Sequence, residues 1–285
     1  MKIALIGTGL IGGSFVLGLK QKSTESIEVI GIDKTESHLA EAQKRGIIDR
    51  SASDWREVVP EADLVVLAIP VDAIVNILPD VLSACGSNTL VVDFGSTKEA
   101  ICASVANHPK RSQFLAAHPI AGTEYSGPGA AFPDLFSEKV MILCEEQKTN
   151  DHLKSDFLAL CDHFSVRIAY MTPQQHDLHL AFVSHLSHIS SFALSNTVLG
   201  KETTENQIFE MAGSGFASTV RLAKSSPEMW APILLQNKQH LLSGLRSYII
   251  ALESFLNSLE KHDEAGLKQL MTDANRIKAI LDDIR

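Results

Sequence analysis

Residues 2–33 read KIALIGTGLIGGSFVLGLKQKSTESIEVIGID. The stretch opens with a short apolar run, Lys2–Ile6, that is typical of a buried strand. It continues through glycines at positions 7, 9 and 12 into an apolar segment of helical length. A second strand-like run, Ile27–Ile32, follows and ends at Asp33. The order strand, glycine turn, helix, strand predicts a β-α-β unit with two parallel strands.

Each glycine of this turn has its own physical reason. Gly7 permits the tight turn, Gly9 lets backbone amides approach a ligand closely, and Gly12 lets the helix pack against the strand. The N-terminus of a helix attracts negative charge, so the pattern G-x-G-x-x-G predicts a dinucleotide with its pyrophosphate at this turn. Asp33, about twenty residues beyond Gly12, is expected to accept hydrogen bonds from the adenosine ribose. A purely structural glycine turn is the alternative.

The acid at the end of the second strand also bears on the choice of cofactor. A carboxylate at Asp33 would repel a 2′-phosphate, which favours NAD over NADP, although Lys34 leaves room for NADP. NAD is therefore the predicted cofactor. The residues expected to bind it are those of the turn, the acid, and two positions at later strand ends: Gly7, Thr8, Gly9, Leu10, Ile11, Gly12, Asp33, Pro70 and Ser96.

The composition bounds the class of protein and of partner. The 285 residues are 45% hydrophobic and 21% charged, as in an ordinary globular protein. A formal net charge of −9 and the lack of any Lys/Arg run argue against a nucleic acid or a membrane as partner and favour a small molecule. Cys85, Cys102, Cys144 and Cys161 have neither CxxC nor zinc spacing, which indicates reduced thiols. Glycines in the first 19 residues argue against a signal peptide, so a cytoplasmic location is expected.

Strand and helix patterns divide the chain in two. Continuous apolar strands spaced by helices predict a parallel sheet covered on both faces, the doubly wound α/β arrangement. Helical spacing takes over after Thr172-Pro173 and continues to the end. We therefore expect a Rossmann-type dinucleotide-binding domain at 1–170 and an all-α substrate and dimerisation domain at 171–285. The predicted strands are Lys2–Ile6, Ile27–Ile32, Leu64–Ile69, Thr89–Asp93, Phe114–Ala117, Val140–Leu143 and Val166–Ala169.

An apolar stripe marks the second part. Its members recur at three-, four- and seven-residue steps, which predicts one long helix: Leu234, Leu241, Leu245, Ile249, Leu252, Leu256 and Leu259. Such a stripe either packs inside the chain or covers a second copy of it. A homodimer through the helical domain is the sharper interpretation, and an intramolecular core is the alternative.

Chemically active side chains follow the predicted strands, where a doubly wound sheet binds its ligand. Pro70 follows one strand and is expected to cover the adenosine side of the cofactor; Ser96 follows the next, and His118 the one after. An imidazole oriented by a hydroxyl suits the removal of a proton from a substrate hydroxyl while a hydride leaves. The alternatives are a helix N-cap for Ser96 and a strand end for His118. The glycine-rich loop 122–129, which contains Glu124, is expected to close over substrate.

Two other functions compete with this interpretation. Five residues that could bind a metal crowd one helical stretch: His176, Asp177, His179, His185 and His188. They would suit a metal-dependent alcohol dehydrogenase. No cysteine lies nearby, so we expect no metal, with His185 and His188 shaping a substrate pocket. A protein that binds NAD only to sense redox state is the other alternative, but it has no use for Ser96, His118 and Arg221 together.

Five blocks of sequence resemble the prephenate and arogenate dehydrogenases of tyrosine biosynthesis, and they span most of the chain. They are Gly7–Ser14, Gly95–Lys98, His118–Glu124, Ser184–His188, and a last block with Gly215, Phe216, Arg221, Ser226–Trp230 and Asn237. The resemblance implies a stand-alone enzyme, without the mutase or regulatory domain that some relatives carry. It implies that prephenate is converted to 4-hydroxyphenylpyruvate with loss of CO₂ and transfer of a hydride to NAD⁺.

The resemblance also implies roles for single residues. His118 would hydrogen-bond the ring hydroxyl of the substrate and assist its deprotonation, aided by Ser96. Arg221 would hold a substrate carboxylate, a role that suits a guanidinium fork. Glu124 is implied to gate the mouth of the site, and Trp230 to be contributed near the site by the partner subunit.

Two departures from the family pattern qualify the substrate. The block SHLSH has Ser187 where the family has proline, and its histidines, His185 and His188, are expected to bind substrate. The segment before Arg221 has Ser218 in place of an acid. Because that segment would lie near the substrate's side chain, arogenate, with NAD or NADP, is the alternative substrate.

Overall fold

The computed structural model describes residues 1–202 and 207–282. Its strands are β1 (Lys2–Ile6), β2 (Glu28–Ile32), β3 (Arg50–Ser51), β4 (Leu64–Leu67), β5 (Leu90–Asp93), β6 (Phe114–Ile120), β7 (Val140–Cys144) and β8 (Arg167–Met171). Its α-helices are α1 (Leu10–Lys22), α2 (Glu36–Lys44), α3 (Val71–Ala84), α4 (Glu99–Ser104), α5 (Asp151–Asp162), α6 (Pro173–Leu180), α7 (Leu186–Glu202), α8 (Ser214–Thr219), α9 (Pro227–Gln236), α10 (Lys238–Glu260), α11 (Glu264–Ala274) and α12 (Ile277–Asp282). Short 3₁₀ helices lie at Trp55–Glu57, Val59–Glu61, Arg111–Gln113, Pro128–Ala130, Glu146–Lys148, Ile208–Met211 and Arg221–Lys224, and a π-helical turn, Ala181–His185, joins α6 to α7.

The eight strands form one sheet in the order β3-β2-β1-β4-β5-β6-β7-β8. The chain first builds from β1 towards β3, and then starts again at β4 on the other side of β1. The connections after β1 and β4 therefore leave the sheet in opposite directions, which opens a crevice at the carboxyl ends of these strands. The predicted Rossmann-type sheet, followed by a helical part, is confirmed.

Alternate residues of each strand supply two separate cores, one on each face of the sheet. In β1, Ala4 and Ile6 belong to one cluster of buried residues, and Ile3 and Leu5 to the other. Helices α3, α4, α6 and α9 add side chains to the first cluster, and α1 and α5 to the second. Each fully buried Leu, Ile or Phe contributes roughly 1.5–3 kcal/mol of hydrophobic stabilisation, so both faces hold the sheet rigidly behind the site.

The sheet differs from the prediction in three strands, because β8 pairs in parallel with β7 and both therefore run against β1–β6. β7 runs antiparallel to β6, with His118 opposite Ile142, so the predicted all-parallel sheet is wrong at this pair. No α-helix lies between β6 and β7, whereas a parallel pair needs a crossover that packs on a face of the sheet. The two-residue strand β3, at the far edge, has no apolar run that could have signalled it.

The helical part follows β8, which ends at Met171. No strand follows Met171 within residues 172–202 and 207–282. The helical prediction for 203–206 and 283–285 lies outside the described residues. β8 extends one residue past the predicted division at 170/171, which stays a prediction. The division into compact units falls later, between Met1–Lys238 and Gln239–Arg285, since α6 and α9 add Leu180, Trp230 and Ile233 to the first core.

The predicted long helix is in fact two. Leu234 belongs to α9, which ends at Gln236, and the other six members of the stripe belong to α10. Asn237 between them leaves the helical conformation with a ψ of 21°. The stripe of α10 includes Ile249, Leu252 and Leu256, which are 46–54% exposed in the single chain. Within the part of the chain that the structure describes, no helix is long and apolar enough to cross a membrane.

Candidate active site

The glycine turn after β1 has the geometry that its sequence predicts. Gly7 has a φ of +97°, and a Cβ there would lie 2.3 Å from the carbonyl oxygen of Ala68, which follows β4. A Cβ at Gly12 would lie 2.5 Å from the Gly7 carbonyl oxygen, so α1 packs directly on the turn. At Gly9, by contrast, an added Cβ would meet nothing within 4 Å. The turn thus leaves room in front of Gly9 for a phosphate at the N-terminus of α1.

The side chain of Asp33 is held in place by hydrogen bonds from the glycine turn. Its Oδ2 accepts hydrogen bonds from the backbone amide and the hydroxyl of Thr8, at 3.1 and 3.0 Å, and its Oδ1 accepts one from the amide of Thr35. The side chain is 10% exposed. Carboxylate oxygens accept more than one hydrogen bond each, so Asp33 can still bind a ribose hydroxyl while it fixes the turn. Leu10 and Ile11 begin α1, and Pro70 is the residue before α3, next to the crevice.

His118 is part of a hydrogen-bonded row of side chains. Its Nδ1 lies 2.8 Å from Nε2 of His176, and Nδ1 of His176 lies 2.7 Å from Oδ1 of Asp177. His118 is in the second half of β6, whereas His176 and Asp177 are in α6. His118 therefore does not merely end its strand. Among residues 1–202 and 207–282, its Nε2 has no hydrogen-bond partner, and the residue is partly exposed.

Ser96 is not a member of this row. It follows β5, the neighbour of β6, and no hydrogen bond links it to His118 among the described residues. The imidazole expected to be oriented by a serine is oriented by His176. Ser96 does not cap α4 either, since that helix begins at Glu99 after Lys98.

Asp177 and a buried ion pair fix the floor of the site. The carboxylate of Asp177 accepts hydrogen bonds from the backbone amides of Lys98 and Glu99, at 2.7 and 2.9 Å, and so caps α4 from another element. Lys98 is fully buried and forms an ion pair with the equally buried Asp93 at the end of β5. These contacts tie the segment after β5 to α6 beneath His118.

Burial keeps the imidazoles neutral. Burial, and then the neighbouring His176, Lys98 and His185, lower the pKa of His118 well below its usual range. Burial also lowers the pKa of His176, although its bond to Asp177 opposes this effect. In Asp177, hydrogen bonds from His176 and the α4 amides outweigh burial, so its pKa is lowered and it stays ionised.

His185 belongs to a second buried network. Its Nδ1 lies 3.0 Å from Nδ2 of Asn237, which also donates to the carbonyl oxygen of Asp177 at 2.7 Å. Burial lowers the pKa of His185 to about 4. A neutral His185 that accepts from the Asn237 amide carries its proton on Nε2, so this ring offers a donor. The π-helical turn that ends at His185 is the kind of local irregularity found at functional sites.

His188 lies one turn further on. Its ring stacks on the indole of Trp230, with centroids 3.4 Å apart, and its Nδ1 lies 3.0 Å from the carbonyl oxygen of Ser184. Trp230 also meets His185 edge to face, so both histidines of the SHLSH block share one side of the helix. The resemblance implied that Trp230 comes from a partner subunit; here it is buried against His188 of its own chain.

Arg221 and Glu124 form an open ion pair. Nη1 of Arg221 lies 3.4 Å from Oε2 of Glu124, and the arginine side chain is 50% exposed. The hydroxyl of Ser191 in α7 accepts a hydrogen bond from the amide of Ala223, which sets Arg221 beside α7 near His188. With one of five N–H groups used, the guanidinium keeps enough donors to hold a carboxylate.

The clustered histidines do not converge on a metal. No group of three or more His, Cys, Asp or Glu within 1–202 and 207–282 could hold a metal ion. His176 and His185 are used in separate networks, His188 stacks on Trp230, and His179 is exposed.

Sequence reasoning missed the roles of three residues. It noted His176 and Asp177 only as members of a histidine cluster, and Asn237 only as part of a resemblance. The adjacent pair His-Asp was a usable signal, because an imidazole bonded to a carboxylate is a recurrent way to orient a base. Nothing in the sequence around Asn237 indicated its partner 52 residues away.

Family models match almost the whole chain. The model described as the nucleotide-binding domain of prephenate dehydrogenase matches residues 16–170. The model described as the dimerization domain of prephenate dehydrogenase matches residues 172–273.

Individual proteins show the same similarity. The chain is 33% identical to prephenate dehydrogenase of Bacillus subtilis, over 93% of this chain and 72% of that protein. It is 29% identical to cyclohexadienyl dehydrogenase of Zymomonas mobilis, over 98% of this chain and 95% of that protein. A solved structure of prephenate dehydrogenase from Aquifex aeolicus, in complex with hydroxyphenyl propionate and NAD⁺, superposes with a TM-score of 0.84 at 26% identity, over 100% of this chain and 98% of that one.

Proposed function

This chain belongs to the prephenate dehydrogenase family, and from that premise we propose that it oxidatively decarboxylates prephenate to 4-hydroxyphenylpyruvate in tyrosine biosynthesis. NAD⁺, when bound at the glycine turn, accepts the hydride from the carbinol carbon of the substrate. The hydroxyl proton passes to the protein, the ring carboxylate leaves as CO₂, and the proton returns to the oxygen of the new phenol. Loss of CO₂ and gain of aromaticity drive the reaction, so the protein mainly has to position the reacting groups.

The position of His118 at the carboxyl-end edge of the sheet is the observation that carries the proposal. The glycine turn lies at the same edge, three strands away in the order β1-β4-β5-β6. His118 has one nitrogen held by His176 and the other without a partner among the described residues. A base that is unprotonated at neutral pH can accept the proton of a substrate hydroxyl as the hydride leaves.

Arg221 and His185 supply donors for the acidic groups of the substrate. Prephenate carries two carboxylates, and the half-exposed guanidinium of Arg221 can grip one of them through two parallel hydrogen bonds. Glu124 pairs with Arg221, and a substrate carboxylate that took its place would open this gate. His185 offers its Nε2–H, because Asn237 holds its other nitrogen.

The cofactor preference follows from Asp33. Its carboxylate is bonded to the glycine turn proposed for the pyrophosphate, and a 2′-phosphate on the neighbouring ribose would meet its negative charge. NAD⁺ is therefore the proposed cofactor. Asp33→Asn is expected to lower the ratio of kcat/KM with NAD⁺ to kcat/KM with NADP⁺ by about tenfold, the equivalent of 1.4 kcal/mol; an unchanged ratio would remove Asp33 from cofactor selection.

The helical part is proposed to form a homodimer. Ile249, Leu252 and Leu256 of α10 are about half exposed in the single chain, and an apolar stripe of this kind is typical of an isologous interface. The variant Leu252→Lys/Leu256→Lys should behave in sedimentation as a 31 kDa chain, whereas the wild type and the control Glu253→Lys should have twice that mass. A wild type that sediments as a monomer would contradict the dimer.

One assay tests the function. Purified protein is given prephenate or arogenate, each with NAD⁺ or NADP⁺, and reduced cofactor and CO₂ are measured. We expect the highest kcat/KM with prephenate and NAD⁺. Turnover of arogenate alone would move the assignment to arogenate dehydrogenase, and failure of all four pairs would leave a protein that binds a dinucleotide without this chemistry.

A further inference from the structure

We propose that His176 and Asp177 are positioning residues that hold His118 in the one tautomer that leaves Nε2 free to accept a proton. The row Asp177–His176–His118 has separations of 2.7 and 2.8 Å, and it joins α6 to β6. The inference rests on the proposed function, and it adds two residues that act through His118 without touching substrate.

The first step is the direction of hydrogen bonding at Asp177. Its carboxylate accepts hydrogen bonds from the backbone amides of Lys98 and Glu99, which can only donate. These bonds, together with the His176 contact, favour the ionised form, which has only acceptors. Nδ1 of His176, 2.7 Å away, must therefore carry the proton of that contact.

The second step passes this choice to His118. A neutral imidazole has one protonated nitrogen, so Nε2 of His176 is left with a lone pair. Only an N–H on Nδ1 of His118 can complete the 2.8 Å contact. The proton of His118 is thereby placed on Nδ1, and Nε2 is the bare nitrogen.

The third step is the consequence for the reaction. When Nε2 takes the substrate proton, His118 becomes positively charged, and its Nδ1–H already points at a ring that is bonded to a carboxylate. The negative charge of Asp177 stabilises the imidazolium, as the acid does in other acid-imidazole pairs. The opposite tautomer of His118 would place a proton on Nε2 and leave no site for the substrate's proton.

Replacing Asp177 tests its negative charge. Oδ1 accepts from both His176 and the Lys98 amide, and Oδ2 accepts from the Glu99 amide, so the NH₂ group of Asp177→Asn opposes a backbone N–H in either orientation. The variant also removes the negative charge that stabilises a protonated His118. We expect kcat with prephenate to fall by about 10²- to 10⁴-fold, as in other acid-imidazole pairs, with little change in KM.

Replacing His176 gives a matched pair that keeps the Asp177 cap of α4. His176→Gln supplies both a donor and an acceptor, whereas His176→Phe supplies neither. We expect His176→Gln to retain kcat within about tenfold of the wild type and His176→Phe to lose 100-fold or more, on the scale of general-base catalysis. His152→Gln, at a side chain that is 85% exposed, is the control and should match the wild type. Equal kcat for His176→Gln and His176→Phe would overturn the proposal.

A direct readout needs no turnover. In ¹⁵N-histidine-labelled protein near neutral pH, with signals assigned by His118→Asn, Nε2 of His118 should show the shift of an unprotonated nitrogen and Nδ1 that of a protonated one. A protonated Nε2 in the wild type would sink the proposal even if the enzyme is active. If prephenate is not turned over but the predicted tautomer is seen, the proposed function fails and the positioning of His118 stands.

Discussion

At the scale of single residues, two side chains of the proposed site have opposite surroundings. His118 lies in a buried network that keeps it neutral, while Arg221 lies half exposed and always charged. The first is suited to accept a proton and the second to bind a carboxylate. Substitutions of the two should therefore affect different kinetic constants.

His118→Asn should lower kcat by about 10²- to 10⁴-fold, the usual contribution of a general base. The Kd for NAD⁺, measured by titration, should stay at the wild-type value, because the glycine turn lies three strands away. In the wild type, burial, the neighbouring histidines and Lys98 lower the pKa of His118, so kcat/KM should fall only as the pH drops through a value below 6.5. An acid limb above pH 6.5 would mean that another group is the base.

Arg221→Lys should raise the KM for prephenate by about 10- to 100-fold, since a charge-assisted hydrogen bond contributes 1.5–3 kcal/mol and lysine cannot supply the paired geometry. The matched control is Lys224→Gln on the same 3₁₀ helix, which removes a nearby charge without removing the fork. If both variants raise KM equally, only the local charge matters and Arg221 does not grip the carboxylate.

At the scale of elements, two glycines of the β1–α1 turn have different functions. Gly12 allows α1 to pack on the turn, whereas Gly9 leaves space for a ligand. A Cβ at Gly12 would overlap the Gly7 carbonyl, whereas a Cβ at Gly9 would enter open space. The backbone of Gly9, with a φ of −72°, suits alanine as well as glycine. The two positions therefore need glycine for different reasons.

Gly12→Ala should lower the free energy of unfolding by about 1–3 kcal/mol, the usual cost of overpacking, because α1 must shift from β1. Gly9→Ala should leave the thermal midpoint unchanged and yet weaken NAD⁺ binding, since its methyl group would stand where the phosphate approaches. Thermal unfolding and cofactor titration distinguish these outcomes. Tight NAD⁺ binding by Gly9→Ala would place the pyrophosphate elsewhere.

At the scale of the whole molecule, the helical part and the sheet are less separable than the sequence pattern indicates. α6 and α9 follow the last strand, yet they pack in the core on one face of the sheet. The same two helices, with the residue after α9, supply His176, Asp177, Trp230 and Asn237 to the site. The residues of the proposed site therefore lie where the sheet contacts α6 and α9.

The burial of His185 at this contact should make the free energy of unfolding depend on pH. Burial lowers the pKa of His185 to about 4 in the folded chain, against 6.5 for an exposed imidazole. Between these values the unfolded chain binds more protons, so the stability from a neutral His185 is present above pH 6.5 and is lost as the pH falls towards 4. The full effect is on the order of 3 kcal/mol.

Chemical unfolding of the wild type and His185→Gln at several pH values isolates this contribution, because all other groups cancel in the difference. The wild type should lose its advantage over the variant as the pH falls from 6.5 to 4. A difference that does not change with pH would show that His185 is not held neutral by the fold.

The sequence by itself predicted the glycine turn, most of the strands and helices, and most of the residues that we propose for the site. Gly7, Gly9 and Gly12 could be interpreted without a structure, because a turn, a close approach and a helix contact are local demands on the backbone. The same holds for positions that follow strands, such as Ser96 and His118, since parallel strands bring their carboxyl ends to one edge.

Only the tertiary structure decided which side chains act together. His118 is 58 residues from His176, Lys98 is 79 from Asp177, and Asn237 is 52 from His185. The antiparallel β7 and the helices that join the first core are equally non-local. Hydrogen bonds between such distant groups depend on how the helices and strands pack together. The periodicity of a strand or helix in the sequence does not indicate that packing. Which nitrogen of His118 is free to take a proton is therefore a property of the fold, while the presence of a histidine there is a property of the sequence.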